Sequence, residues 1–177
     1  MSGLGKGTGA VTDEGRGGEY QRRVLALDHS GLLELWQGLR AGVSPPEWPA
    51  GVLLEYLLLR AFQQIDGIIY FDGVSCLVES KDVTRTVDAI AIVKLKSQLL
   101  RRPRTTIGAV FNTGTFSPTA LSLLRMLPPP DVLLWEGEEI DFALQGQRLL
   151  EGMRRKLRHA VETGFADLDL VKGRNVR

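Results

Sequence analysis

The chain has 177 residues, enough for one domain with a substantial core, and 22 Lys and Arg against 21 Asp and Glu leave a net charge of +1. No overall field therefore directs it to nucleic acid or to a membrane surface, and any such binding has to come from local clusters. One cysteine, Cys76, and two widely separated histidines, His29 and His159, exclude an intramolecular disulfide and argue against a Cys- or His-based zinc site.

Residues 1–18, "MSGLGKGTGAVTDEGRGG", are Gly-rich and nearly devoid of large apolar groups, so they are expected to form a disordered tail. "GLGKGTG" misses the spacing of a phosphate loop and follows no strand. Residues 19–49 are expected to be a helical N-terminal extension. Its "LDHSGLLELWQGLRAG" predicts a helix opened by Asp28 or Ser30 and closed by Gly42, and "VSPPEWP" is a breaker-rich link.

"AGVLLEYLLLRAFQQ" is apolar almost all round, which suits a buried helix. Its apolar run is too short for a membrane span and carries Glu55, and no signal peptide is expected. A soluble cytoplasmic protein with no membrane partner follows as the expectation. "IDGIIYFDGVSCLVESKD" then turns to Ile, Val, Tyr and Phe around Asp72-Gly73, a strong hairpin signal.

From Val83 to Arg102 the pattern is helical again, with Val87, Ala91, Leu95 and Leu99 every fourth residue and Pro103 as the stop. "TTIGAVFNTG" predicts a strand into a turn, Ser117-Pro118 a capped helix start, and "DVLLW" a short buried strand. The acidic "EGEEID" is expected to start a helix, with helical sequence running to Gly164 and a polar C-terminal tail over residues 165–177. Residues 50–164 thus form an α/β domain with a small mixed sheet flanked by helices.

If Asp72 and Gly73 are the loop of a type I′ hairpin, Phe71 pairs with Val74, Ile69 with Cys76, and Asp66 falls opposite Glu79. Glu79 and Lys81 share a strand face, while Cys76 and Ser80 point the other way, against a nucleophilic role for either. Carboxylates directly opposite one another, with Cβ atoms about 4.5–5.5 Å apart, repel. A proton, Lys81 or a hard divalent cation would compensate, and a cation there with a lysine beside it makes a workable phosphodiester hydrolysis site. The plainer alternative is a strand end surfacing into water, since an E-x-K triplet alone carries little information.

At "QIDG", with Asp66, and "VESK", with Glu79 and Lys81, the chain resembles the PD-(D/E)XK nuclease superfamily, the restriction-endonuclease-like fold. "GAVFNTGTFSPTA" and "DVLLWEGEEI" look like later segments of its Mrr-like branch, so the resemblance covers about residues 50–144. It implies a metal-dependent DNA endonuclease using Mg2+ or Mn2+, with Asp66 and Glu79 as metal ligands and Lys81 positioning or activating the water. Glu55 would be an auxiliary carboxylate and Gln98 a site organiser. Lys94, Arg101, Arg102 and Arg104 would contact the DNA backbone, and duplex cleavage would call for a homodimer or two nicking events. The alternative is a catalytically inactive nuclease-fold module that binds nucleic acid or another protein.

Two departures stand out. Ile65 replaces the proline of the family motif, and only Gln63, Gln64 and Ile65 separate Phe62 from Asp66. That leaves no room for the family's strand before the Asp-bearing one. Either "LLLRAFQQ" is itself partly extended or the sheet lacks an edge strand. "RRKLRH" at 154–159 reads either as a second backbone-binding cluster or as cations suited to the end of a helix, and Trp36, Trp48 and Trp135 read as packing residues.

Overall fold

The computed structural model describes residues 13–44, 50–62, 68–81 and 86–175. Helices α1 (Asp13–Leu25), α2 (His29–Arg40) and α3 (Ala50–Ala61) precede a hairpin of β1 (Ile68–Phe71) and β2 (Val74–Lys81). Then α4 (Ala89–Leu99), β3 (Thr106–Asn112), α5 (Pro118–Met126) and β4 (Val132–Trp135) alternate. Helices α6 (Gly137–Gln145) and α7 (Leu149–Thr163) follow, and the short strands β5 (Leu168–Asp169) and β6 (Arg174–Asn175) finish the fold. The main sheet has the order β1-β2-β3-β4, with β1 antiparallel to β2 and the other three parallel. This is a small mixed sheet flanked by helices, and no described helix is long and apolar enough to cross a membrane.

The hairpin forms as its residue types dictate. Asp72 and Gly73 both take positive φ, 49° and 78°, as a type I′ turn requires, and Ile69↔Cys76 and Phe71↔Val74 are the observed pairs. The described ladder ends at Ile68↔Leu77, and Asp66 lies outside the described residues, as does Trp48. Helix α3 runs through Ala61, and the Phe62 amide still donates to the Leu58 carbonyl. "LLLRAF" is therefore helical rather than extended, and among the described residues no strand stands between α3 and β1.

Register divides the side chains between two faces of the sheet. Cys76, Ala109, Phe111 and Trp135 face α3 and α7. Phe62 meets Phe111 edge-on at 5.9 Å, Phe111 stacks on Trp135 at 5.3 Å, and a Cβ on Gly152 of α7 would fall 2.5 Å from the Trp135 ring. Leu77, Glu79, Lys81, Gly108 and Val110 face α4, whose Leu95 lies so close to Gly108 that any Cβ there would collide with it. Trp36, wholly buried, joins α2 to α6 through Nε1 donating to Asp141 at 3.1 Å.

Three expectations change. Helix α1 begins at Asp13, inside the segment expected to be a tail, and places Val24 in the core. Helix α4 begins at Ala89 rather than Val83. Val87 is buried with Ala91, Leu95 and Leu99 as their spacing implies, but it forms a parallel bridge with Phe116 before the helix starts. The segment expected to be a polar C-terminal tail packs into the core over residues 166–170, including Leu168 and Leu170. Its polar composition misleads because the acids have partners: Asp167 accepts from Arg125, and Asp169 accepts from the Val171 and Lys172 amides.

The basic cluster "RRKLRH" is also not one solvated surface. Arg154 is exposed and pairs with Asp72 at 2.8 Å through two nitrogens, whereas Lys156 turns inward. Lys156 meets the buried carboxylate of Glu139 and the Leu168 carbonyl, with Nζ 5.3 Å from the centre of the Trp135 ring.

Candidate functional site

Strands β2, β3 and β4 are parallel, so their C-terminal ends open on one edge of the sheet, the usual place for ligands in such folds. Glu79 and Lys81 stand at that end of β2. Lys81 Nζ lies 2.8 Å from Glu79 Oε1, and Lys94 Nζ, reaching down from α4, lies 3.0 Å from the same oxygen and 3.4 Å from Oε2. The Glu79 side chain is only 16% exposed, so these two ammonium groups are its main surroundings. Burial pushes the Glu79 carboxyl up, but the hydrogen bonds and charges of Lys81 and Lys94 outweigh it and hold the group below its ordinary value.

Glu55 stands on the solvent side of α3, one turn beyond Gly51, whose carbonyl accepts from Ser80 at 3.2 Å. That bond fixes the start of α3 on β2. Partial desolvation, and then the charge of Glu79, push the Glu55 carboxyl above its ordinary value. Two carboxylates and two lysines therefore share one electrostatic neighbourhood.

The other expected site residues are placed less uniformly. Gln98 is exposed one turn beyond Lys94, roughly 6 Å further along the helix. Arg101, Arg102 and Arg104 are exposed in the connection from α4 to β3. That connection is level with Ser75, whose partner is Thr106, and Ser75 is four residues or about 13 Å of strand from Glu79. The structure does not bring these three arginines to Glu79, because the α4 crossover carries the chain back to the other end of the sheet. Cys76 is buried on the opposite face with its thiol pushed up by burial, and Ser80 is occupied with α3.

Lys94 was expected as a DNA contact, and its pairing with Glu79 was not legible from the polar stripe it shares with Gln98. Asn112, opposite Lys81 on β3, was also not foreseen. It is wholly buried, its Nδ2 donates to the Thr115 carbonyl at 2.8 Å, and its Oδ1 has no partner among the described residues.

Among the described residues no three carboxylate, His or Cys groups gather as a ready metal cage. A hard cation can be held through as few as one or two carboxylates and water, and Glu79 with Glu55, which feels its charge, are the described residues that would supply them here. Compared with known proteins, the chain matches no family model, no curated protein and no solved structure.

Proposed function

We propose that the chain is a metal-dependent DNA endonuclease of restriction-endonuclease-like type, hydrolysing a phosphodiester at the C-terminal end of β2. The observation that carries the reading is the pairing of Glu79 with Lys81 at 2.8 Å at the C-terminal end of β2, with Glu55 on the adjoining α3 feeling the charge of Glu79. The hairpin register supports it too, since it holds over every described pair down to Ile68↔Leu77.

In this reading Glu79 and Asp66 would hold Mg2+ or Mn2+, with Glu55 as the auxiliary carboxylate. The cation would neutralise charge growing on the phosphate and acidify its bound water. Lys81 holds the Glu79 carboxylate in place and orients the attacking water. Lys94 is released from Glu79 to meet a phosphate oxygen, and Gln98 extends that polar stripe along α4. Arg101, Arg102 and Arg104 then touch the DNA backbone well away from the scissile bond rather than beside it. A single site cuts one strand, so duplex cleavage calls for a homodimer or two nicking events. A cytoplasmic setting suits the single free cysteine.

One observation favours a second reading, a nuclease-fold module that binds nucleic acid or protein without catalysis. Lys81 and Lys94 already balance the charge of Glu79 without any metal. Plasmid nicking with Mg2+ or Mn2+ separates the two. The enzyme reading expects metal-dependent nicking that Lys81→Ala abolishes; nicking that is absent, or equal in the variant, leaves the binding module.

A further inference from the structure

At the far end of α3 from Gly51, nine residues or roughly 14 Å along the helix, lies a cavity of about 210 Å³ between α2, α3 and the α6–α7 connection. Leu32, Leu144 and Leu149 give it an apolar floor, and Arg60, His29 and Gln147 supply its polar groups.

Three features of this cavity point to a ligand. First, Arg60 is half-buried and its guanidinium is held in place, with Nε donating to the Leu27 carbonyl at 3.2 Å. Among the described residues it has no carboxylate partner, and no Asp or Glu lines the cavity. A partly desolvated cation with no counter-ion favours an anion beside it, and the remaining guanidinium N–H groups form a fork suited to a phosphate or carboxylate.

Second, the acid next to His29 in sequence, Asp28, is already engaged, its Oδ1 accepting from the Gly31 amide and the Ser30 hydroxyl at 2.9 Å each. It caps α2 and forms no ion pair with Arg60 among the described residues.

Third, Gln147 has φ +53°, in the left-handed region, while its neighbour Gly146 has an ordinary φ of −84°. The Arg148 amide donates to the Ala143 carbonyl at 2.7 Å and the Gln147 amide to the Leu144 carbonyl at 3.0 Å. This is a Schellman ending of α6, and Gln147 occupies the position that glycine usually takes. A side chain in that backbone conformation is strained, and here it brings an amide to the cavity.

We propose that this cavity is a binding site for a small oxyanion, a phosphate or carboxylate group gripped by Arg60 with His29 and Gln147 beside it. The site is independent of the Glu79 cluster and stands whether or not the chain is a nuclease. The oxyanion belongs either to a free small molecule with a short apolar body or to a nucleic-acid terminal phosphate.

The test is thermal melting of the full chain against inorganic phosphate and against butyrate at constant ionic strength. A saturable rise in melting temperature is expected for at least one of them. Arg60→Met should weaken the apparent affinity about tenfold or more, while Arg22→Met, at an exposed arginine of α1 outside the cavity lining, leaves it unchanged. Gln147→Gly should raise the melting temperature of the unliganded chain yet weaken phosphate binding, a pairing that a purely structural residue would not give. If Arg60→Met fails to fold, His29→Ala and Gln147→Gly carry the test. Stabilisation that never saturates, or that is equal in wild type and all variants, overturns the site. Competition between phosphate and a 5′-phosphorylated oligonucleotide, but not its unphosphorylated form, would assign the anion to nucleic acid. Binding without such competition would assign it to a free metabolite, and either result upholds the site.

Discussion

The ammonium of Lys156, almost wholly buried, meets the buried carboxylate of Glu139 beside the Trp135 ring. Glu139 is shared further, accepting from the amides of Leu170 and Glu136 at 2.9 Å each, so one ion pair joins α6, α7 and the C-terminal segment. Breaking such a pair from one side strands a buried charge. Lys156→Met is expected to cost about 3–5 kcal/mol in urea unfolding at pH 7. Adding Glu139→Gln removes the stranded charge, keeps an acceptor for Leu170, and should restore a large part of the loss. A single variant within about 1 kcal/mol of wild type would show that the pair is not closed in solution.

The contact between Lys94 and Glu79 sets up a competition that can be measured. Lys94 is largely exposed, so Lys94→Met should change stability by less than about 1 kcal/mol. If Glu79 is a metal ligand, removing one cation from it should tighten Mn2+ binding about thirtyfold, the effect of a unit charge about 4 Å from a divalent ion in a high dielectric. Calorimetric titration of Mn2+ into the two proteins reads this directly. Equal or weaker binding in the variant would argue that Glu79 does not hold the ion.

Glu55 gives a pH dependence whose sign is fixed. Its folded-state pKa lies above the ordinary 4.5 because of partial burial and then the charge of Glu79. The folded state therefore holds the proton more tightly than the unfolded one. The associated stability is present below about pH 4.5 and is lost as pH rises through the folded value. Glu55→Gln should raise the melting temperature at pH 7.5 and leave it nearly unchanged at pH 4. The opposite pattern would place the Glu55 carboxyl in a cationic rather than an anionic environment.

The tip of the hairpin separates backbone from charge. Gly73→Ala forces a Cβ into φ +78° and should cost about 1–2 kcal/mol, even though nothing lies within 4 Å of the added atom. Asp72→Asn keeps a residue that tolerates positive φ and loses only an exposed ion pair with Arg154, so the urea midpoint should hardly move. If Asp72→Asn proves the costlier change, the Arg154 contact rather than the turn is what holds the hairpin.

What was legible in the sequence was local. Asp72-Gly73 specified its own turn and with it the pairing of Ile69 with Cys76, because a two-residue loop leaves no freedom of register. Asp28 and Ser117 announced two helix starts through side chains that cap only a few residues away. What failed was tertiary. Val87 fits the four-residue spacing of α4 yet serves as a bridge to Phe116, a choice made by a segment almost thirty residues on. Asp167 of "FADLDL" read as solvated because its partner, Arg125, is remote in sequence. At the candidate site Glu79 and Lys81 came from strand parity, but the crossover that carries Arg101, Arg102 and Arg104 to the far end of the sheet is a property of the assembled fold.

Strands β2, β3 and β4 end on one edge, and α4, α5 and α6 each begin a few residues later. The amino ends of three helices therefore rise from the same rim as Glu79 and Lys81, each carrying about half a positive charge in its aligned peptide groups. Acids occupy that rim accordingly: Asp88 stands at the N-cap of α4, and Glu136, Glu138 and Glu139 stand at the start of α6, where the helix ends favour negative charge. Because no proton can remove the peptide dipoles, their pull on these acids lasts as long as the carboxyls stay ionised, and it is protonation of the acids that would release it.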